Sequence, residues 1–190
     1  MRSQPSSDRR SVDEDILQRV VDAFKEGDRQ AFRVLYDRFE HPIYRFCRHL
    51  VSDEALARDA FQETFIRMYE HRRDLRGENI QSWLFSIARR VCLNLLRSRR
   101  RTFEEFDEGQ HELVEHVESD ILLREHLDRA LALLPVTLRE ALLLRDVEGH
   151  SYQEIAEIVG IDLSLAKVRV YRARLIMRKH LSPIVAERSK

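Results

Sequence analysis

The chain has 190 residues, of which 43% are apolar and 35% are charged, and its formal net charge is zero. That apolar content is enough for the core of one or two domains, which excludes a disordered chain. No apolar run reaches the roughly 18 residues of a membrane span, and the opening MRSQPSSDRR lacks the apolar segment of a secretion signal, so we expect a cytoplasmic protein.

The zero net charge conceals an uneven distribution. Residues 24–101 hold 17 basic and 11 acidic side chains, residues 102–120 hold 8 acidic side chains and no Lys or Arg, and residues 121–190 hold 12 basic and 9 acidic ones. A polyanion responds to local charge rather than to the total. The two basic segments are therefore candidate nucleic-acid surfaces, and the acidic strip between them is a candidate linker.

The glycine positions and the spacing of apolar residues predict an almost entirely α-helical chain. All five glycines fall where the periodic apolar patterns stop. In the first half we predict a helix after Asp28, a short helix that starts at Pro42, a third after Asp53, and a fourth over residues 80–101 with Asn79 as its cap. Four helices of these lengths can form one small bundle.

The fourth predicted helix contains SWLFSIARRVCLNLLRSRRR, residues 82–101, and is amphipathic. Its apolar residues fall on one side of a helical wheel, and these arginines fall opposite: Arg89, Arg90, Arg97, Arg100 and Arg101. Taken alone, this helix is either a core helix with a solvated basic face or a surface whose guanidinium groups bind phosphates or stack on bases.

Neither the cysteines nor the acidic strip predicts redox or metal chemistry. Cys47 and Cys92 lie in separate apolar patterns without a CxxC motif, so we interpret them as small buried thiols. The strip TFEEFDEGQHELVEHVESD, residues 102–120, places His111 and His116 five residues apart, whereas zinc-protease helices place two histidines four apart on one face. We therefore expect no metal and no cofactor.

The second half contains two predicted helices followed by a helix-turn-helix pattern. Residues 121–134 form a helix that Pro135 stops, and residues 138–147 form the next one. The stretch GHSYQEIAEIVGIDLSLAKVRVYRARLIMRK then begins a short helix with an S-x-x-E capping box at Ser151, and Gly160 ends this helix in a turn.

The second helix of this pattern, which Asp162 can cap, is long and basic. It turns Ala166, Val170 and Ala173 inward. Its basic side chains lie on the other faces: Lys167, Arg169, Arg172, Arg174 and Arg178. Such a helix can enter the major groove of DNA, with residues near its N-terminal end at the base edges. The alternative is a generic helical hairpin with basic solvent-facing residues.

Three stretches taken in order, DAFQETFIRMY, SWLFSIARRVCLNLLRSRRR and LLPVTLREALLLRDVEGHSYQEIAEIVGIDLSLAKVRVYRARLIMR, resemble the bacterial sigma factors of the extracytoplasmic-function (ECF) group. The resemblance spans roughly residues 24 to 181. It implies an all-α fold of two small helical domains: 24–101 is similar to sigma region 2, 121–182 to region 4 with its helix-turn-helix, and 102–120 to the flexible linker. Residues 1–23 are expected to be a tail with a helix start, and 183–190 a second tail.

The resemblance implies a non-enzymatic subunit that binds core RNA polymerase, directs it to specific promoters and promotes melting of the −10 region. The stretch from Asp59 to Phe65 resembles the D-x-x-Q-E-x-F surface that docks on the β′ clamp helices, in which the matching positions are Asp59, Gln62, Glu63 and Phe65. Without the resemblance, this stretch is an ordinary amphipathic helix.

The resemblance also implies a −10 interface built on the fourth helix and the turn before it. Its candidates are Arg76, Glu78, Asn79, Arg89, Arg90, Asn94, Arg97, Arg100 and Arg101. Such a surface suits melted DNA, because unpaired bases need a pocket and the backbone needs a basic track. We expect Trp83 to pack rather than stack on a base. The family's I-A-R-N appears here as Ile87 to Arg90, followed by Asn94 where the family has Asp, so the −10 sequence is not transferable.

For the −35 element, the resemblance nominates contacts on the second helix of the helix-turn-helix: Lys167, Val168, Tyr171 and Arg172, with Arg169 and Arg174 as phosphate or supporting residues. Val168 replaces a hydroxyl residue of the family and favours apolar contact with a thymine methyl group. The implied partners are core polymerase (β′ clamp helices and β flap), promoter DNA and an anti-sigma factor. The alternative function is a free-standing helix-turn-helix regulator that is not a polymerase subunit.

Overall fold

In the computed structural model of the chain, residues 7–75, 79–105 and 119–188 are described. Every secondary-structure element in these residues is helical, which confirms the predicted all-α class. A 3₁₀ turn at Arg72–Asp74 precedes the fourth helix, and a π-helical turn at Leu143–Val147 follows the sixth. The helices are α1 Ser7–Lys25, α2 Arg29–Val51, α3 Glu54–Glu70, α4 Ile80–Glu105, α5 Ser119–Ala132, α6 Val136–Leu142, α7 Tyr152–Val159 and α8 Leu163–Arg188.

The first four helices pack around one apolar core. Phe24 at the end of α1 is fully buried, so this helix is part of the bundle and extends the helix start that we expected there. Phe46 of α2 and Phe85 of α4 meet edge to face with ring centroids 5.3 Å apart. Edge-to-face aromatic pairs of this kind contribute about 0.5–1.5 kcal/mol beyond the burial of their apolar area.

The prediction that Pro42 starts a second short helix is wrong, because α2 runs through Pro42 without interruption. A proline inside a helix costs about 3 kcal/mol, since it removes one hydrogen bond and crowds the preceding turn. Leu35, Phe39, Ile43 and Phe46 lie on both sides of Pro42 and are all buried on one face. Each such side chain contributes about 1.5–3 kcal/mol on burial, so tertiary packing outweighs the local penalty.

The predicted helix starts after Asp28 and after Asp53 are confirmed by their capping contacts. The Asp28 carboxylate accepts a hydrogen bond from the Gln30 backbone N–H at 2.7 Å. Asp53 does the same for Leu56 at 2.9 Å, and this contact lowers the pKa of the Asp53 carboxyl group. Such caps satisfy amide groups that have no partner within the helix.

The second half packs α5, α6, α7 and α8 around a second set of buried leucines and small residues, among them Leu134, Leu143 and Leu144. The predicted helices over 121–134 and 138–147 correspond to α5 and to α6 with its π-helical turn. In that turn, the Glu148 backbone N–H donates to the Leu143 carbonyl at 3.0 Å.

The helix-turn-helix is formed as predicted. In its capping box, the Ser151 backbone N–H donates to the Glu154 carboxylate at 2.8 Å, and the Glu154 backbone N–H donates to the Ser151 hydroxyl at 3.2 Å. Gly160 has φ of 74°, a left-handed conformation that side chains disfavour, and it directs the chain into α8. Ala166 and Val170 of α8 are fully buried.

The two halves also pack against each other. Helix α4 lies against α7, and α2 lies against α5, α6 and the π-helical turn. Cys47 and Cys92 are free and buried in the first-half core, which confirms their interpretation as buried thiols. Among residues 7–75, 79–105 and 119–188, no helix is both long and apolar enough to cross a bilayer.

Candidate polymerase and nucleic-acid interfaces

A groove between α3 and α4 brings together three of the four residues that the sequence nominated for polymerase docking. Asp59, Gln62 and Glu63 line it from α3, and Asn94 lines it from α4; its volume is about 340 Å³. Asp59, Gln62 and Asn94 are exposed. The groove therefore presents two carboxylates and two amides at one surface, which suits a partner rich in basic and polar donors.

The fourth nominated docking residue, Phe65, has a different position. Its side chain is only 5% exposed and packs in the core, with its ring centroid 4.7 Å from that of Tyr36. Phe65 therefore supports α3 from beneath, whereas Glu63 on the surface accepts a hydrogen bond from the Arg67 guanidinium at 2.6 Å. A sequence motif does not distinguish a residue that touches a partner from one that holds the touching residues in place.

Some of the −10 candidates on α4 are exposed, and one is bound by a carboxylate of another helix. Arg90 and Arg97 are exposed, and the Arg90 guanidinium donates to the Ser86 carbonyl at 3.2 Å and to its hydroxyl at 3.1 Å. Arg100 and Arg101 belong to the helical backbone of α4. Arg76 and Glu78 lie outside the described residues.

Two residues near the start of α4 have structural contacts of their own. The Asn79 side-chain carbonyl accepts a hydrogen bond from the Gln81 backbone N–H at 2.9 Å, which confirms Asn79 as the cap of this helix. Trp83 is 7% exposed, in agreement with the packing role expected of it. It lines a groove of about 190 Å³ with Arg90, next to the His71 and Asp74 side chains, which are 3.0 Å apart.

Arg89 does not face solvent with the other arginines of α4. Its guanidinium donates to the two carboxylate oxygens of Glu140 in α6, at 2.8 and 3.2 Å. Arg169 of α8 donates to the same carboxylate at 3.2 Å, and Glu140 is completely buried. One acidic side chain thus binds one −10 candidate and one −35 candidate.

The outward face of α8 carries four of the six −35 candidates, and a fifth, Arg174, is exposed but bound to Asp146. Lys167, Val168, Tyr171 and Arg172 are exposed, with 63% of Tyr171 open to solvent. Two cationic groups beside two apolar ones can contact phosphates and base edges while packing on thymine methyl groups.

The remaining −35 candidate, Arg174, is paired inside its own half. Its guanidinium donates to Asp146 with Nε 2.9 Å from the carboxylate, and this contact raises the pKa of Arg174 above its ordinary value. Arg174 and Arg169 therefore orient α8 on the elements beneath it, in keeping with the supporting role expected of them.

Sequence reasoning missed residues that join the two halves, among them Arg45, Glu148, Arg139 and Glu140. Arg45 of α2 makes a two-pronged ion pair with Glu148, at 2.9 and 2.8 Å. Arg139 is buried, which lowers its pKa, and it donates to the Leu50 carbonyl at 3.0 Å. The only available sequence signal was the charged pair Arg139 and Glu140 within an apolar run, because charges inside such runs are normally paired.

The described residues contain no cluster of three or more side chains that could hold a metal ion. His111 and His116 lie outside the part of the chain that the structure describes. The pKa of the Cys92 thiol is well above its usual range, because Cys47 lies beside it and both are buried. A thiol in this state is a poor nucleophile and a poor metal ligand.

Comparison with known families assigns each half of the chain separately. The Sigma-70 region 2 family matches residues 35–102, and the Sigma-70 region 4 family matches residues 124–177. The first match covers α3, nearly all of α4 and most of α2, and the second covers α6, α7 and parts of α5 and α8. The two families occur in the same order as the two halves of the fold.

Individual relatives extend this similarity over most of the chain. The RNA polymerase sigma-H factor of Pseudomonas aeruginosa is 33% identical over 186 residues, which cover 90% of this chain and 96% of that protein. The ECF RNA polymerase sigma-E factor of Haemophilus influenzae is 28% identical, with 88% and 96% covered. The sigma factor RpoE of Bartonella quintana, solved in complex with the anti-sigma factor NepR, superposes with a TM-score of 0.72 and 27% identity, covering 80% of this chain and 96% of that one.

Proposed function

The chain belongs to the extracytoplasmic-function group of bacterial sigma-70 factors, and from that premise we propose which of its surfaces meet polymerase and promoter DNA. As an ECF sigma factor, the protein binds core RNA polymerase and directs it to promoters. The alternative of a free-standing helix-turn-helix regulator is wrong, because both halves of the chain match sigma-factor regions.

The observation that carries our assignment of the −35 interface is the outward face of α8. Lys167, Val168, Tyr171 and Arg172 are exposed on a helix that follows a capped α7 and a left-handed glycine. In a helix-turn-helix, this helix enters the major groove and its N-terminal half meets base edges. We assign −35 recognition to these four residues. We assign to Arg169 and Arg174 the role of holding α8 in position.

For polymerase docking we propose the groove between α3 and α4. Asp59, Gln62 and Glu63 supply its polar contacts, and Phe65 holds α3 in position from the core. The acidic side chains suit a partner surface of opposite charge, which would steer the encounter as well as stabilise the complex.

For −10 recognition and melting we propose the exposed side of α4. Arg90 and Arg97 form a basic track beside Asn94, and we add Arg89, which is bound to Glu140 in this structure and would have to leave it to reach DNA. Arg76 and Glu78 in the preceding turn, and Arg100 and Arg101 at the far end, complete the proposed set. A basic track next to a polar pocket holds single-stranded DNA by its backbone and leaves its bases free to be read.

The division of labour follows the two halves. We assign polymerase docking and the −10 element to residues 24–101, the −35 element and the β flap to residues 121–182, and a path through the polymerase to the acidic linker at 102–120. An anti-sigma factor is a further proposed partner, by analogy with the complex of the superposing RpoE. Because RNA polymerase is its partner, we place the protein in the cytoplasm.

Run-off transcription with purified core polymerase and genomic promoter fragments tests the proposal as a whole. The wild-type chain should support initiation at a small set of promoters and should co-purify with core polymerase. If the wild-type chain neither supports initiation nor co-purifies with core polymerase, the proposed docking and DNA-binding surfaces are wrong.

The docking groove is tested by reversing its charge without disturbing the fold. The double variant Asp59→Lys with Glu63→Lys should lower core binding at least tenfold in a pull-down, because two carboxylates at a desolvated contact become cations. Asp37→Lys, at an exposed position on α2 that does not line the groove, is the control and should bind normally. Undiminished binding by the double variant would place the docking face elsewhere.

A further inference from the structure

The guanidinium of Arg90 is held in place by a residue one turn earlier on α4. Its Nε donates to the Ser86 carbonyl at 3.2 Å, and its Nη2 donates to the Ser86 hydroxyl at 3.1 Å. The Ser86 hydroxyl in turn donates to the Trp83 carbonyl at 2.7 Å, which leaves its oxygen as an acceptor for Arg90. A side chain held in this way loses little conformational entropy when it binds, so it selects a ligand by geometry as well as by charge.

Ser86 uses only one edge of this guanidinium. The other edge consists of Nη1 and the second N–H of Nη2, and it makes no hydrogen bond within the part of the chain that the structure describes. Arg90 is exposed, so a ligand can reach this edge. Two parallel N–H donors match a ligand that presents two adjacent acceptor atoms.

The groove beside Arg90 suits a planar ring. Its volume is about 190 Å³, close to the size of a single nucleobase, and the buried side chains of Trp83 and Ile87 form its apolar lining. An unpaired base can enter such a groove, with apolar contact on its face and polar contacts at its edges.

The other charged side chains of the groove are already paired with each other or with a neighbour. Arg67 donates to Glu63 at 2.6 Å, and His71 lies 3.0 Å from Asp74. The Asp74 side chain is 67% exposed, so its second carboxylate oxygen remains open to a ligand. The groove therefore offers a ligand two donors from Arg90 and an acceptor from Asp74.

We propose that Arg90, positioned by Ser86, makes the protein specific for guanine at one position of the −10 element. Guanine presents two adjacent acceptors, O6 and N7, and an arginine that binds both is the commonest base-specific contact to DNA. Its N1–H and N2 amino groups are donors that a carboxylate such as Asp74 can accept. Adenine has an amino group where guanine has O6, so it would set a donor against a donor.

The proposal rests on the assignment of α4 to the −10 strand under the proposed function, and it changes the role of one residue of the basic track. Arg90 contacts a base, and Ser86 is a positioning residue that acts through it. The family resemblance does not supply this specificity, because Arg90 stands where the family has Asn.

The test uses holoenzyme assembled from the full chain and core polymerase, with a pool of promoter fragments randomised over the −10 element. Sequencing of the fragments retained in open complexes gives the base preference at each position. The wild type should favour guanine over adenine about tenfold at one position. Arg90→Lys keeps the charge but not the two-pronged donor, so it should still form open complexes and should lose this preference.

The Ser86 variants test positioning separately from contact. Ser86→Ala removes the hydroxyl that orients the guanidinium and should reduce the guanine preference to a few-fold, whereas Ser86→Thr keeps a hydroxyl and should restore it. Replacing guanine at the selected position by 7-deazaguanine removes the N7 acceptor alone. This replacement should weaken open complexes of the wild type several-fold and leave those of Arg90→Lys unchanged.

The control is Arg33→Lys, the same substitution at an exposed position on α2, which should keep the wild-type preference. Arg97→Lys, in the basic track, should affect all fragments alike. The proposal is overturned if the wild type prefers another base or none at every −10 position, or if the guanine preference survives both Arg90→Lys and Ser86→Ala. A wild-type holoenzyme that forms no open complex on any fragment would contradict the proposed function itself, and this inference with it.

Discussion

Helices α4 and α8 are both 26 residues long and carry arginines that the family resemblance assigns to DNA, yet Arg89 of α4 is placed differently from the cations on the outward face of α8. On α8, Lys167 and Arg172 stand free on an outward face. On α4, Arg89 is turned against the other half of the molecule and is bound by Glu140. The position of an arginine on a helical wheel therefore does not show whether its guanidinium is available to DNA. A carboxylate from an element distant in sequence can bind the guanidinium first.

The largest effect should come from Glu140, the acid that α4 and α8 share. Glu140→Gln leaves the guanidinium groups of Arg89 and Arg169 around a buried neutral amide, so the free energy of unfolding should fall by about 3 kcal/mol. Urea unfolding followed by circular dichroism measures it.

Glu157→Gln removes an exposed carboxylate from α7 and is the matched control, with an expected change within about 0.5 kcal/mol. Equal stabilities of the two variants would mean that Glu140 does not bind the two guanidinium groups. Pairing with a carboxylate would then not explain why Arg89 of α4 is less available than Arg172 of α8.

The same comparison separates what local sequence could predict from what it could not. The capping box at Ser151 and the left-handed Gly160 were predictable, since their chemistry is contained within a few residues. The continuity of α2 through Pro42 was not, because core burial contributed by other helices outweighs a local helix breaker.

The candidate site shows the same division. Exposure of Lys167 and Arg172 follows from the period of α8, whereas the pairing of Arg89 with Glu140 joins residues 51 positions apart and depends on how the two halves pack. Phe65 fits the docking motif but lies in the core, a distinction between contact and support that a motif does not encode.

A second prediction sharpens the comparison within α8 itself. Arg172→Ala should lower transcription from −35-dependent promoters about tenfold, because a free guanidinium at the groove is worth about 1–3 kcal/mol. Arg174→Ala removes a guanidinium that is already bound to Asp146, so we expect less than about a twofold loss. Run-off transcription from one promoter measures both. Equal losses would show that pairing with Asp146 does not make Arg174 less important for transcription than Arg172.

A third prediction concerns pH and the interface that occupies α4. Burial lowers the pKa of His150 below its ordinary value near 6.5, against a small opposing effect of the Glu154 carboxylate. The unfolded chain therefore takes up this proton first as the pH falls, so stability is retained above pH 6.5 and declines below it. The slope due to this group cannot exceed about 1.4 kcal/mol per pH unit.

Urea unfolding at several pH values between 5 and 7.5, chosen as roughly the range in which histidine titrates, should show this decline in the wild type. His150→Gln removes the titrating group and should flatten the profile by the amount that His150 contributes. Identical slopes in the two proteins would mean that the imidazole meets water in the native state, and that the Phe85 contact is looser than 4.8 Å implies.

The smallest expected effect tests whether the exposed face of α8 reads DNA through apolar contact as well as through charge. Val168 is exposed between Lys167 and Arg172, and a valine can recognise only an apolar group such as the thymine methyl. Replacing thymine by uracil at one position of the −35 element removes that methyl group alone. The loss should be at most about 0.8 kcal/mol, roughly fourfold in affinity, for the contacted position.

Val168→Ala should bind both DNAs nearly equally, whereas Arg172→Ala should weaken binding to both and keep the difference between them. If every thymine of the element can be replaced without loss of affinity, α8 contacts the groove through its cations only. The exposed sides of α8 and α4 would then differ in how available their guanidinium groups are, but both would bind DNA through charge.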